Sequence, residues 1–454
     1  MPDGRLSDGE EGRNHIMASS GTGYSHLIIV VGAGPAGMAA ANLLSKAGHE
    51  VVILNRDIKF GGLAEYGIFP SKLKLRGGLR KSYWEIIERP NVHYLGNVSV
   101  GRTKDLTIED LRSLEASALV FATGAQGTKT IGVEGDSATG VYHAKDVVYH
   151  FNRLPGFSER PFEMGRRIAV IGVGDVMVDI AHWLIRYKQV EQVTAIARRG
   201  PAERKYNPKE IRAICSNIDR AALAQEFARL RPRLEAVGQN PDEILKGMTD
   251  EFTKCEPLTS PTKMGFRFLA SPRRVLTDAQ NRVRGVQIEE TKLEPKGQDF
   301  AAVGLPYKNG VFVTNPTSTG NDPDDALFQA YDEASGQVIE GVFLTGWARK
   351  ASEGLVGIAK RDGEWCTEVL VRYLESRPPR ERSTNERVLR QLRTMLQARA
   401  VQAIDVESLR ILEAIEKEQG MARDSIGEFK FPSNELMLTL IQERRERERA
   451  PAAR

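Results

Sequence analysis

Two glycine-rich turns constrain this chain more than anything else in it, because each sits between an apolar strand-like run and a helical pattern. The first is HLIIVVGAGPAGMAAANLLSKAG, with Gly32, Gly34 and Gly37 in G-x-G-x-x-G spacing. The second is RRIAVIGVGDVMVDIAHWLIR, with Gly172 and Gly174 in the same first two places. A strand, a glycine turn and a helix in succession form half of a doubly wound nucleotide-binding unit, so an α/β chain with parallel sheets is expected. One such motif is a weak signal. Two in one chain point to two dinucleotides on one protein, and hydride transfer between them is the usual reason for that.

In the first turn, Leu27 to Val31 is continuously apolar, as a parallel strand covered on both faces must be. Gly32 allows the tight turn, Gly34 lets backbone approach a pyrophosphate, and Gly37 lets helix pack close on strand. Pro35 suits a first helical turn, where its missing N–H costs nothing. Gly48 is placed to end the helix. A pyrophosphate there would meet unpaired N–H groups and the positive end of the helix dipole. At the end of the next strand, Glu50 to Leu54, an acidic residue is expected to bind ribose hydroxyls. That position is Asn55, with Asp57 two residues on.

In the second turn, Met177 stands where the third glycine would be, so helix and strand are expected slightly farther apart. The strand after it, Gln192 to Ala197, ends in Arg198-Arg199-Gly200-Pro201. A 2′-phosphate fits such a pair of guanidiniums through charge-assisted bonds, which selects NADPH over NADH. The alternative is a solvated arginine pair at a strand end.

Composition narrows the class. The 454 residues allow two or three domains, and 41% hydrophobic with 27% charged content is ordinary for a globular protein. A formal net charge of +4 argues against a dedicated nucleic-acid binder. No apolar run is long enough for a membrane span. The polar start, through residue 24, has no signal-peptide core and reads as a disordered leader. Cys215, Cys255 and Cys366 form no C-x-x-C, so a redox-active disulfide, an iron–sulfur cluster or a zinc site has no sequence support, and a reducing cytoplasm fits best.

Further along, Ala118 to Gly124 and Phe343 to Gly346 are apolar strands that end in glycine turns. They imply that the second domain is inserted into the first. Gly61 to Ile68 is a glycine-rich loop placed to line a flavin. With these in place, four stretches in order become specific: the first turn with EYGIFPSKLK, the second turn with ARRGPAERKYNPKEIRAI, then GFRFLASPRRVL, then GWARKASEGLVGIAK. Together they resemble the adrenodoxin reductase family of NADPH–ferredoxin reductases, and more distantly the small subunit of glutamate synthase.

The resemblance implies two Rossmann-like domains: an FAD domain over 25–140 and 303–376, an NADPH domain over 141–302 inserted into it, and a helical extension over 377–454. It places FAD on Gly32, Gly34, Pro35, Ala36, Gly37, Asn55, Gly62, Leu63, Gly124, Trp347, Gly354, Leu355 and Val356. It places NADPH on Gly172, Gly174, Asp175, Val176, Arg198, Arg199 and Glu210. Trp347 lies near both rings by this mapping, and Lys72 and Glu210 are the ionisable groups placed to position the nicotinamide or handle a proton. The implied activity is an FAD-dependent NADPH reductase that passes electrons to a small acidic acceptor such as ferredoxin. Arg76, Arg80, Lys81, Arg204, Lys205 and Arg212 would form its basic docking face.

Four departures from the family pattern stand out. Lys72 replaces a histidine, Asn55 replaces the ribose acid, and the cysteine-bearing extension of glutamate synthase subunits is absent. The stretch Lys296 to Leu305 is also too short for the apolar strand the family has there, so the flavin domain is expected to have a stunted strand or to miss an element. In the extension, Ser383 to Glu386 reads as a capping box, Asp405 as the cap of a second helix, and Asn434 to Arg449 as a third. These helices are amphipathic and need a surface: their own domain, a second copy or another protein. Two other readings are a reductase-like subunit of a larger enzyme, and a non-catalytic family member that acts as a binding protein.

Overall fold

The computed structural model describes residues 23–125, 127–128, 130–293, 313–314, 328–332, 335–349, 356–422 and 428–449. The chain divides into two compact units, Met1–Gln126 with Val303–Arg454, and Gly127–Ala302. The first begins with a short strand β1 (Tyr24–Ser25), then β2 (Leu27–Val31), α1 (Pro35–Lys46), β3 (Glu50–Asn55), α2 (Leu63–Tyr66), α3 (Leu73–Ile87), β4 (Val92–Gly96), α4 (Ile108–Ser113) and β5 (Ala118–Phe121). All five residues of β2 are buried, as its unbroken apolar run requires. α1 stops where expected, with Gly48 at φ +84° just beyond it.

The second unit holds α5 (Ala144–Phe151), β6 (Arg167–Ile171), α6 (Asp175–Trp183), β7 (Gln192–Ile196), α7 (Arg220–Glu235), α8 (Pro241–Thr249), β8 (Lys263–Arg267), β9 (Ala270–Thr277) and β10 (Val283–Glu290). Its parallel sheet runs β6-β7-β8, and β9 and β10 form a separate antiparallel pair. Among the described residues β6 has a neighbour on one side only, and its residues alternate between exposed and half-buried. Cys215 and Cys255 are joined in a disulfide across 40 positions of sequence, a pairing that their spacing did not announce.

The chain then completes the first unit with β11 (Val313–Thr314), β12 (Gln329–Tyr331), β13 (Val338–Leu344), α9 (Val356–Glu375), β14 (Arg380–Glu381), α10 (Arg382–Ala398), α11 (Val406–Ala422) and α12 (Asn434–Arg449). The sheet of this unit has seven strands in the order β11-β12-β13-β5-β2-β3-β4. β13 pairs in parallel with β5, as Phe343 to Gly346 led one to expect. The short Lys296–Leu305 stretch lies outside the described residues, as does the leader through residue 22.

Alternate residues of β2 enter two separate cores: Ile28 and Val30 on one face, Leu27, Ile29 and Val31 on the other. The C-terminal extension supplies both. Val388, Leu392 and Leu396 of α10 join the second core, while Leu409, Leu412 and Ile415 of α11 and Met437 and Ile441 of α12 join the first. Between them the chain passes the β4 edge, where Gly96 and Ile404 exchange backbone hydrogen bonds of 2.8 and 2.9 Å. An open sheet edge is thereby covered.

Asp405 caps α11, its carboxylate accepting from the Ser408 N–H at 2.8 Å. The capping box at Ser383 does not form. α10 begins earlier, at Arg382, because Arg380 and Glu381 pair with β1 and the Arg382 N–H donates to the Gly23 carbonyl. Among the described residues, no helix is long and apolar enough to cross a membrane.

Candidate functional site

The first glycine turn is a built cradle. Gly32 has φ +108°, and a Cβ there would lie 2.4 Å from the Ala122 carbonyl oxygen of the chain leaving β5. A Cβ on Gly37 would lie 1.9 Å from the Gly32 oxygen, so only glycine lets α1 close on the turn. Gly34 differs: nothing lies within 4 Å of its Cβ direction, and as the residue before α1 it leaves the helix without a side-chain cap. The N-terminus of α1 thus presents donors beside open space, the arrangement that holds a pyrophosphate.

Three other predicted segments converge there. The Gly61 N–H donates to the Ala33 carbonyl at 2.7 Å, and a Cβ on Gly62 would sit 3.2 Å from the Gly34 Cα, so the loop leading into Leu63 lies along the turn. Gly346, next to Trp347, would place a Cβ 2.7 Å from that of Ala36. A Cβ on Gly363 of α9 would lie 2.3 Å from the Ala36 carbonyl oxygen. Gly124 follows β5 at φ +69°, and Val356 opens α9, half-buried. Gly354 and Leu355 lie outside the described residues. Lys72 stands immediately before α3, where its carbonyl accepts from the Arg76 N–H.

Asn55 faces inward. Its Oδ1 accepts from the Ala33 N–H at 3.0 Å, and its Nδ2 donates to the Asp57 and Lys59 carbonyls and the Tyr94 hydroxyl. The side chain is 7% exposed and ties the glycine turn to the end of β3. Aspartate could not replace it there without losing all three donated bonds.

In the second unit, Gly172 (φ +117°) and Gly174 have nothing within 4 Å of their Cβ directions. The segment after β7 folds back along this turn: the Lys205 N–H donates to the Val173 carbonyl at 2.9 Å, and the Asn207 N–H to the Asp175 carboxylate at 2.6 Å. Glu210 begins a 3-10 turn three residues later, its N–H bonded to the Asn207 carbonyl. Val176 is half-exposed, Arg198 exposed and Arg199 partly buried. The backbone of the arginine pair is held by Thr291, whose hydroxyl donates to the Arg198 carbonyl, and by the Leu269 N–H on the Arg199 carbonyl. Lys72 and Trp347 therefore belong to the first unit and Glu210 to the second.

Residues 26–221 match the family model of pyridine nucleotide-disulphide oxidoreductases. The chain is 26% identical over 391 residues to the mitochondrial NADPH:adrenodoxin oxidoreductase of Salvelinus fontinalis, covering 76% of this chain and 77% of that protein. It is 26% identical over 407 residues to the NADPH-ferredoxin reductase FprA of Mycobacterium leprae, covering 77% and 84%. Over some three quarters of its length, then, this chain is similar to NADPH:adrenodoxin and NADPH-ferredoxin reductases. The fold agrees: Mycobacterium tuberculosis FprA in complex with NADPH superposes with a TM-score of 0.65 at 20% identity, over 92% of this chain and all of that one.

Against this family background, the expected basic docking face does not hold as a set. Arg76 is 3% exposed and donates to the Ile68 carbonyl at 2.7 Å, and burial lowers its pKa. Arg80 pairs with Glu65 and Glu428, and Arg212 with Glu251. Arg204 donates to the Pro201 and Gly247 carbonyls. Of the six, only Lys81 and Lys205 are exposed. Charges on a helix read as surface in a sequence, but Glu428 of the extension lies against Arg76 and Arg80, and Arg204 and Arg212 are held by neighbours in their own unit.

One residue escaped the sequence reading. Asp362 of α9 is buried and accepts from the Gly346 N–H at 2.6 Å and the Thr345 hydroxyl at 3.1 Å, and it pairs with Arg349. It fixes the Gly346–Ala348 turn from behind. The available signal was an acid one turn into an otherwise amphipathic helix, directly before Gly363.

Proposed function

We infer that this protein is an FAD-dependent NADPH oxidoreductase that delivers electrons to a ferredoxin-type acceptor. The observation that carries this reading is the open cradle at Gly34, walled by Gly32, Gly37, Gly62 and Gly346, in a chain similar to NADPH:adrenodoxin and NADPH-ferredoxin reductases. The residues present fit FAD: at Gly32 and Gly37 a Cβ would strike backbone, while the Cβ direction of Gly34, before the first helix, is open for a pyrophosphate. When bound, the flavin supplies the capacity to take a hydride from NADPH and release electrons singly.

The chain's own residues bind, orient and exclude. Gly34, Ala36 and Gly37 would offer first-turn N–H groups to the pyrophosphate, with Gly32 making the turn and Pro35 opening the helix, while Gly62 and Leu63 would line the cofactor and Gly124 ends the neighbouring strand. Asp362 fixes the turn that carries Trp347, which shields the ring system from water. By the resemblance, Gly354, Leu355 and Val356 would also contact FAD. Gly172, Gly174, Asp175 and Val176 receive the NADPH pyrophosphate, Arg198 and Arg199 its 2′-phosphate. Lys205, brought to the second turn by its bond to Val173, adds a cation that the sequence motif alone does not assign. Lys72 and Glu210 orient the nicotinamide or carry a proton. Asn55 holds the turn that receives FAD, so any ribose contact it makes uses the remaining lone pair of Oδ1.

A visible spectrum of the purified protein, followed by anaerobic NADPH and separately NADH, tests the reading. Flavin absorbance bleached far faster by NADPH is the expected result. A protein that stays colourless after incubation with FAD overturns it.

A further inference from the structure

The C-terminal helical segment does more than cover apolar surface. Its segment Glu428–Phe431 reaches the loop beside the first glycine turn. Lys430 is 3% exposed; its Nζ donates to the Glu65 carbonyl at 2.7 Å, pairs with the Glu65 carboxylate at 2.9 Å and lies 4.9 Å from the centre of the Tyr66 ring. The Glu65 side chain, 4% exposed, is also gripped by Lys59 at 3.3 Å and Arg80 at 2.7 Å. Glu416 of α11 pairs with Lys59 at 2.5 Å and accepts from the Phe431 N–H. Burial alone would raise the Glu65 carboxyl, but these cations hold it well below the usual range.

The chain of contacts continues into the cradle. Glu65 lies in α2, whose Ala64 and Glu65 N–H groups bond the Gly61 and Gly62 carbonyls, and Gly61 in turn bonds Ala33. A buried ammonium that satisfies both a carbonyl and a carboxylate on one short helix leaves that helix little freedom, since undoing either bond strands a buried charge. A solvent-facing lysine that merely packed its stem would not do this.

We propose that Lys430 is a positioning residue for the flavin-lining loop, by which the C-terminal segment clamps Gly61–Gly67 against the first glycine turn. This rests on the FAD reading above. The effect on FAD is exerted through Glu65 and the loop, without contact between Lys430 and the flavin.

The test uses the full chain with Lys430→Met and Lys430→Arg. Two readouts are taken: the FAD dissociation constant from quenching of FAD fluorescence, and amide hydrogen exchange of the apoprotein resolved over Gly61–Gly67 and over β2 and β3. Lys430→Met is expected to weaken FAD roughly tenfold to a hundredfold, the loss of a charged hydrogen bond, and to speed exchange in Gly61–Gly67 by a similar factor with β2 and β3 unchanged. Lys430→Arg is expected to recover most of both. Unchanged loop exchange in Lys430→Met overturns the clamp. A wild type that takes up no FAD overturns the flavin reading instead, and loop exchange still decides the clamp. Should Lys430→Met fail to fold, Lys430→Gln, which keeps a donor for the Glu65 carbonyl, carries the same test.

Discussion

The two glycine turns share a pattern and differ in what surrounds them. Around Gly32 the neighbouring chain of β5 is in contact, α1 is closed onto the turn, and two cores press on the two faces of the sheet. Around Gly172 nothing stands within 4 Å of the Cβ direction, and β6 lacks a second neighbour among the described residues. The third position follows suit: Gly37 admits no side chain, whereas Met177 takes that place and is itself buried. The same motif is thus a sterically dictated object in one unit and a looser one in the other. A flavin that must stay bound through many turnovers asks for the first kind of site; a nicotinamide that must leave after each asks only for the second.

That contrast is open to breaking. Gly37→Ala forces a methyl into the Gly32 carbonyl and is expected to cost about 3 kcal/mol or more, with loss of bound FAD; Met177→Gly in the second unit should leave the FAD:protein ratio unchanged. Because Met177 is buried, both substitutions lower the melting temperature, and flavin content is the measurement that decides: equal loss of FAD from both would erase the distinction. Next in size, Arg198→Ala is expected to raise the KM for NADPH roughly tenfold to a hundredfold with that for NADH unmoved, the loss of a charge-assisted bond to the 2′-phosphate.

Smaller still is an acid sensitivity seated in the first unit. His49, beside His26, has its pKa lowered to about 4 by burial and by that neighbour. Between its ordinary value near 6.5 and about 4 the unfolded chain binds a proton that the folded one refuses. Stability is therefore present above pH 6.5 and falls as pH drops toward 4, by about 2 kcal/mol. Thermal unfolding at pH 7 and pH 4.5 should show this loss in the wild type and much less of it in His49→Gln.

Local chemistry was legible in the sequence, and distant pairing was not. The Gly32, Gly34 and Gly37 spacing, the stop at Gly48 and the Asp405 cap each depend on atoms a few residues apart. The box at Ser383 failed because a strand pairing with Tyr24, more than 350 positions away, starts α10 early. Arg76 and Arg80 read as surface charges until α11 and the Glu428 segment came to lie over them. The Cys215–Cys255 bond has no local signature at all. Asn55 falls between: the substitution was visible, but the four partners that explain an amide there were not.

The pairing of Tyr24 with Glu381, and the split of each core between early strands and late helices, also set an order of events during synthesis. Residues 127–302 are complete as a unit while the first unit still lacks β13, α9 and every helix of its extension. The ribosome needs roughly 10–30 s to travel from residue 303 to residue 441. Throughout that interval Leu27–Val31 and Glu50–Asn55 have no complete core to enter, so the first-made strands are the last to be buried.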